Sequence, residues 1–227
     1  MNKPLLTTLF IASTSLLAHA EVSLSANMGL QTDYIWRGMT QNAGDPSIHG
    51  GFDLKSDSGF YTGTWAASTS SGTELDYYAG YALSIGDAEI DIGYIDYTYV
   101  QHTAEDISER YLGLGATYGF LDSLSIYVDY SYTDDYDASG DSADIAGMGA
   151  YYHFGDLVIE LAYQQFSYKT TSMEDFNSTR IGLRYDLGGG LAATLTHDDK
   201  AYNMTSQEFS SATSFGLKFT SQSNKSC

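Results

Sequence analysis

The chain has 227 residues, 43% of them hydrophobic and 14% aromatic, with 20 Tyr, 23 Gly, only 2 Pro and 1 Cys. That composition excludes a disulfide-stapled domain and a disordered chain, and it suits a glycine- and tyrosine-rich antiparallel sheet. The formal net charge of −19 leaves little to neutralise phosphates, so nucleic acid is excluded as a partner.

Residues 1–20 have the pattern of a cleaved secretory signal. Lys3 is the positive start, Leu5 to Leu17 form a short apolar core, and Ala18-His19-Ala20 is an A-x-A cleavage site. The mature chain is then expected to begin at Glu21. Without Lys3, nine basic residues face 29 acidic ones.

From Val22 the sequence alternates. Val22, Leu24, Ala26, Met28 and Leu30 are apolar, and Ser23, Ser25, Asn27, Gly29 and Gln31 are small or polar. A period of two puts these sets on opposite faces of an extended strand. Carried on to Gly38, the greasy parity meets Tyr34 and Trp36 and the polar parity meets Asp33 and Arg37. This predicts one long strand over 22–38 that ends in an interfacial aromatic belt.

The polar run MTQNAGDP leads to a strand over 47–55, with Ile48, Phe52 and Leu54 on one face. Ser56 to Gly59 is a tight turn into a strand over 60–68, and a Ser/Thr/Gly loop follows it. Leu75, Tyr77, Ala79, Tyr81 and Leu83 share the apolar face of the next strand, and Ile90, Ile92 and Tyr94 that of the one after. Further strands are marked by Leu112 to Tyr118, Leu124 to Tyr132, Ala143 to His153, Leu157 to Tyr163 and Ile181 to Tyr185. One more follows Gly188 to Gly190, and the twelfth ends Phe215, Leu217, Phe219.

Short turns alternate with longer polar connections such as VQHTAEDIS, TDDYDASGDSA, YKTTSMEDFNS and DKAYNMTSQE. Short periplasmic turns, long external loops and an even strand count describe an up-and-down antiparallel transmembrane β-barrel with both termini periplasmic. The apolar parity of the well-defined strands carries almost no charge except Asp96 at a strand end. Lipid exposure demands this, because a mid-membrane charge costs roughly 2–4 kcal/mol. A soluble barrel needs the reverse arrangement. The expected organisation is thus signal peptide 1–20, barrel 21–219 and a polar tail 220–227.

The runs DYIWRGMTQ (33–41), GGFDL, GFYTGTWA and LDYYAGY, densest between Tyr34 and Tyr81, make the chain resemble the TorF-like porins of Gram-negative bacteria. The resemblance covers the mature chain and implies an outer-membrane location and a channel role. Barrel proteins often end on an aromatic residue, whereas Phe219 is followed here by TSQSNKSC.

Sites of other chemistry find little support. Asp134 to Asp141 alternates oxygen ligands around a glycine, but Ala146 stands where an EF-hand places its bidentate Glu, so an acidic external loop is the better reading. His49, His102, His153 and His197 lack metal-ligand spacing. Gly188 to Gly190 lacks the Lys-Ser/Thr of a phosphate loop. No Ser, His and carboxylate converge on the outward parity, which argues against a lipid-modifying enzyme, and no cofactor is expected.

The candidate pore-lining residues are the inward charges. Arg37, Lys55, Arg180, Arg184 and Lys218 fall on the first, second, tenth and twelfth strands, a nearly continuous basic arc. Asp76, Asp91, Asp129 and Glu160, with Glu74 and Glu89, face them from the fourth to ninth strands. Twelve strands close at a backbone radius of roughly 12 Å, so Tyr97 and Tyr127 are expected to narrow the lumen. The expectation is a narrow, weakly cation-preferring pore for small polar solutes, or else a structural barrel whose charges pair and plug it. Its other expected partners are outer-membrane lipid, lipopolysaccharide and the barrel-assembly machinery.

Overall fold

The computed structural model describes residues 21–100, 107–117, 123–134, 142–169, 174–203 and 208–225. The signal sequence, His102, most of the Asp134 to Asp141 loop and the last two residues lie outside them. The strands are β1 (Val22–Gln31), β2 (Ile35–Trp36), β3 (Met39–Thr40), β4 (Ser47–Ser56), β5 (Phe60–Thr69), β6 (Gly72–Ile85) and β7 (Ala88–Val100). They continue with β8 (Ile107–Thr117), β9 (Leu124–Thr133), β10 (Ala143–Phe154), β11 (Leu157–Tyr168), β12 (Phe176–Gly188), β13 (Leu191–Asn203) and β14 (Glu208–Lys225).

Twelve of these make one antiparallel ring. From β4 to β14 each strand pairs with its neighbour in sequence, and β14 returns to β1, which pairs in turn with β4. The alternation forms the wall. Leu24, Met28, Leu30, Phe52, Tyr77, Ile92, Val128, Leu161, Ile181 and Phe215 are all exposed on the outer face. So large an exposed apolar surface has no place in water and matches a lipid-facing band. Asp96 on this face accepts from Tyr94 Oη at 2.7 Å. The strand of mixed parity, β10, adds a second outward acid, Asp144, which is covered by Tyr130 Oη and Lys169 Nζ.

Three expectations are corrected. The first strand stops at Gln31 rather than running to Gly38. The Ser/Thr/Gly loop after β5 is only the two residues Ser70 and Ser71, because β6 begins at Gly72. Thr220 to Lys225 are not a loose tail; they continue β14 and pair residue by residue with Val22 to Asn27. Backbone pairing completes the seam there whatever the side chains, since each unpaired N–H or C=O at an edge would need another partner.

Candidate functional site

The inward face is polar and glycine-rich, and its tyrosines lie along the wall. Tyr78 packs across Gly63 and its hydroxyl donates to Asp53. Tyr61 packs across Gly80 and donates to Asp91 at 2.7 Å. Tyr127 lies over Gly149 and stacks on Tyr151 with centroids 5.4 Å apart, and Tyr151 Oη reaches Glu160 at 3.4 Å. A Cβ at Gly63, Gly80 or Gly149 would occupy the space of the ring, so each glycine lets a phenol lie flat. Tyr127 therefore narrows the lumen less than its size suggests.

What fills the lumen is the connection between β1 and β4. Residues 32–46 fold inward, and β2 and β3 form a miniature hairpin whose outer strand pairs in parallel with β13 through Met39–Tyr202 and Thr40–Asn203. The tip is Arg37-Gly38, with φ of 47° and 76°. Positive φ at both central residues is the signature of a type I′ turn, usually Asn-Gly; a left-handed arginine is uncommon. Arg37 and the hairpin are therefore not part of β1, and Tyr34 and Trp36 are not girdle residues.

The hairpin touches both sides of the barrel. Toward β5 and β6, Tyr34 meets Trp65 edge-on at 5.4 Å and donates to buried Glu74 at 2.9 Å. Burial first, then the Glu74 carboxylate, holds the Tyr34 hydroxyl well above its ordinary value, so it remains a donor. Asp76 lies beside Glu74 and is buried, with no hydrogen-bond partner for Oδ1 among the described residues. Toward β10, β11 and β12, Met39 joins Ala143, Ile145, Phe166, Tyr168 and Phe176 in a dry cluster capped by Trp36. Phe166 and Ile145 are fully buried there, and Phe166 stacks on Phe176 at 4.6 Å. Trp36 also packs against Tyr97 at 5.6 Å, so Tyr97 fills space between hairpin and wall as a narrowing residue should.

The charges divide accordingly. Arg180 is a clamp: Nε is 3.1 Å from both carboxylate oxygens of Asp198, and Nη2 donates to the Ile35 carbonyl at 3.0 Å. Asp198 is nearly fully buried and was missing from the sequence-derived set, although its alternation with Ala192 and Thr196 on β13 would have placed it inward. Arg37 stacks on Trp36, 4.7 Å from the ring centroid, and reaches Ser131 on β9 at 3.2 Å. It thus leaves the expected basic arc and stands on the acidic side. Asp129 lies over Gly147 and Glu160 against Gly182, while Arg184 and Lys218 hold the inward parity of β12 and β14 in exposed positions.

One cavity of about 570 Å³ brings together Arg37, Lys55 and Asp91 from the expected set. Asp53, Glu89, Ser25, Tyr61, Tyr78 and Tyr97 share it. It lies under the hairpin tip against β1 and β4 to β7, and it does not include Asp129, Glu160, Arg180, Arg184 or Lys218. His49 packs on Trp65 inside the wall and His197 meets Thr213 outside it, so these histidines do not converge.

A closed twelve-stranded barrel with an apolar outside, a polar inside and an in-folded loop defines a porin-like outer-membrane-type barrel. The chain belongs to a bacterial protein family of unknown function, Gcw_chp, whose model matches residues 17–221. No curated protein matches it. Its fold is similar to that of the NanC porin, at 12% identity and TM-score 0.59, covering 89% of this chain and 100% of that one. It is also similar to the KdgM porin, at 12% identity and TM-score 0.57, covering 90% and 99%. A third similar structure is the COG4313 outer membrane channel from Pseudomonas putida F1, at 10% identity and TM-score 0.50, covering 90% and 96%.

Proposed function

We propose that this protein is a non-enzymatic outer-membrane channel for passive diffusion of small hydrophilic solutes, with a weak preference for cations. The observation that carries the reading is a cavity lined by charged and hydroxylated side chains inside a barrel whose outer face is apolar. The resemblance to TorF-like porins agrees with it. Among the described side chains inside the barrel, the wall acids Asp53, Glu74, Asp76, Glu89, Asp91, Asp129, Glu160 and Asp198 outnumber Lys55, Arg180, Arg184 and Lys218 on the wall and Arg37 on the hairpin. An acid-rich lumen raises the local concentration of cations and disfavours anions. One similar structure is the KdgM porin in complex with disordered oligogalacturonate; the acid excess here argues against carrying a polyanionic sugar over to this chain.

Apart from Ser70-Ser71, the short turns among the described residues lie at the end of the barrel where Val22 meets Lys225, and we assign that end to the periplasm after cleavage of residues 1–20. For a barrel with such a lipid-facing band, the partners we propose are outer-membrane lipid, lipopolysaccharide and the barrel-assembly machinery. Reversal potentials of the reconstituted protein in a salt gradient test the channel, and a shift toward the cation potential is expected. Surface protease on intact cells tests the orientation: cleavage is expected in loops 133–142 and 168–177, and cuts at Gly86 or Gly155 would invert it.

A second reading has its own observation. The hairpin builds a dry core against β10, β11 and β12 inside the barrel, as a structural plug does. Absence of any conductance from folded protein would favour that reading over a channel.

A further inference from the structure

We propose that the cavity under the hairpin tip is a binding site for small zwitterions of the α-amino acid class. The inference names a solute for the proposed channel, but the site itself stands or falls on binding.

Charge is held around one open-sided space in the lumen. Asp53 and Lys55 project from β4, Asp91 and Glu89 from β7, and Tyr61 and Tyr78 lie between them as a flat aromatic floor. The hydroxyls of Tyr78 and Tyr61 fix the Asp53 and Asp91 carboxylates, and Ser25 Oγ lies 3.3 Å from Asp53. These acids are therefore positioned before any ligand arrives. Arg37 closes the space from the hairpin side, its guanidinium oriented by the Trp36 ring and Ser131 Oγ. The side chains of Lys55 and Glu89 make no hydrogen bond or ion pair with the described residues.

A ligand for this space must satisfy both signs at once. Three carboxylates facing two cations, in a space of about 570 Å³, leave neither a pure anion nor a neutral solute well matched. A carboxylate pairs with the Lys55 ammonium, with the Arg37 guanidinium as a second positive group on the hairpin side. An ammonium group some two bonds away can then turn to Asp91 and Glu89. The tyrosine rings offer a surface to a small apolar side chain, and an apolar solute without charge would leave the carboxylates unpaired.

The test uses the full mature chain, folded in detergent micelles, with three probes of one size: alanine, its neutral analogue lactamide, and lactate. Saturation-transfer NMR is expected to show saturable binding for alanine and about tenfold weaker binding for lactamide and lactate. Arg37→Asn keeps the residue preference of a type I′ turn while removing the cation, and it is expected to weaken alanine about tenfold. Asp91→Asn is expected to do the same, and Glu89→Gln serves if that variant does not fold. Equal binding of alanine and lactamide, or variants that migrate as folded barrels and bind alanine as well as wild type, would overturn the site. Swelling of vesicles carrying the protein in lactamide, without alanine binding, would leave the channel standing and the site refuted. Alanine binding without swelling would do the opposite.

Discussion

The two sides of the inward hairpin differ more from each other than either differs from its own surroundings. On the Met39 side the lumen is a miniature protein core, with Phe166 and Ile145 fully buried and Phe176 stacked against Phe166. On the Arg37 side, carboxylates, two cations and tyrosine hydroxyls line a cavity. A hairpin two residues wide in each strand cannot hold itself together in water. It persists because one face is buried against β10 to β12, and that anchoring frees the other face to carry charge. In a polar lumen, a small dry patch is what makes a polar site rigid.

Breaking the dry side should have the largest effect. Phe166→Ala removes a fully buried ring and is expected to cost about 3–5 kcal/mol in urea unfolding of the micellar protein. The same variant should release the hairpin, so its single-channel conductance should exceed wild type; an unchanged conductance would mean that the hairpin holds without its core.

The clamp comes next. Arg180→Met leaves buried Asp198 without its cation and Ile35 without its donor, and a loss of about 1.5–3 kcal/mol is expected. The double variant Arg180→Met with Asp198→Leu should recover part of that loss, since the stranded charge is gone. Unfolding midpoints of the two variants measure the difference.

The wet side should respond in size of passage more than in stability. Gly63→Ala puts a Cβ where the Tyr78 ring lies, so the ring must rise from the wall into the lumen. A cost of about 1–2 kcal/mol and a smaller conductance are expected. Tyr61→Phe is the mildest change: it removes one hydrogen bond to Asp91, with an expected loss of about 0.5–1.5 kcal/mol. If it instead destabilises as much as Phe166→Ala, the cavity wall and the dry cluster are one unit rather than two.

Much of the barrel was legible in the chain. Strict alternation fixed the inward and outward faces of β1, β4 to β7 and β11, because a one-residue error would put Asp53, Asp91 or Glu160 into lipid. The hairpin was not legible, for a specific reason. Tyr34 and Trp36 continue the apolar parity of Val22 to Leu30, so periodicity runs on where the backbone turns away. Arg37-Gly38 was the available signal, a poor version of the Asn-Gly turn. Asp198 escaped because its strand was bounded by turn residues alone and its faces were not separated. Thr220 to Lys225 escaped because backbone pairing requires no hydrophobic pattern.

The seam between β1 and β14 bears on the order of events during biogenesis. The first strand to emerge waits for the last one, since Val22 pairs with Lys225 and Gln31 with Gly216. The hairpin waits as well: its apolar partners lie on strands beginning at Ala143, and its backbone partners are Tyr202 and Asn203. Ser214 Oγ also donates to the Asp33 carbonyl at 2.6 Å, across 181 residues of chain. Contacts so distant in sequence form late, because the intervening loop must close before they return any stability. An unfinished barrel therefore has a wide and empty middle, and the hairpin enters only when the wall is complete. In time-resolved folding, quenching of Trp36 should follow sheet formation as a separate, later phase.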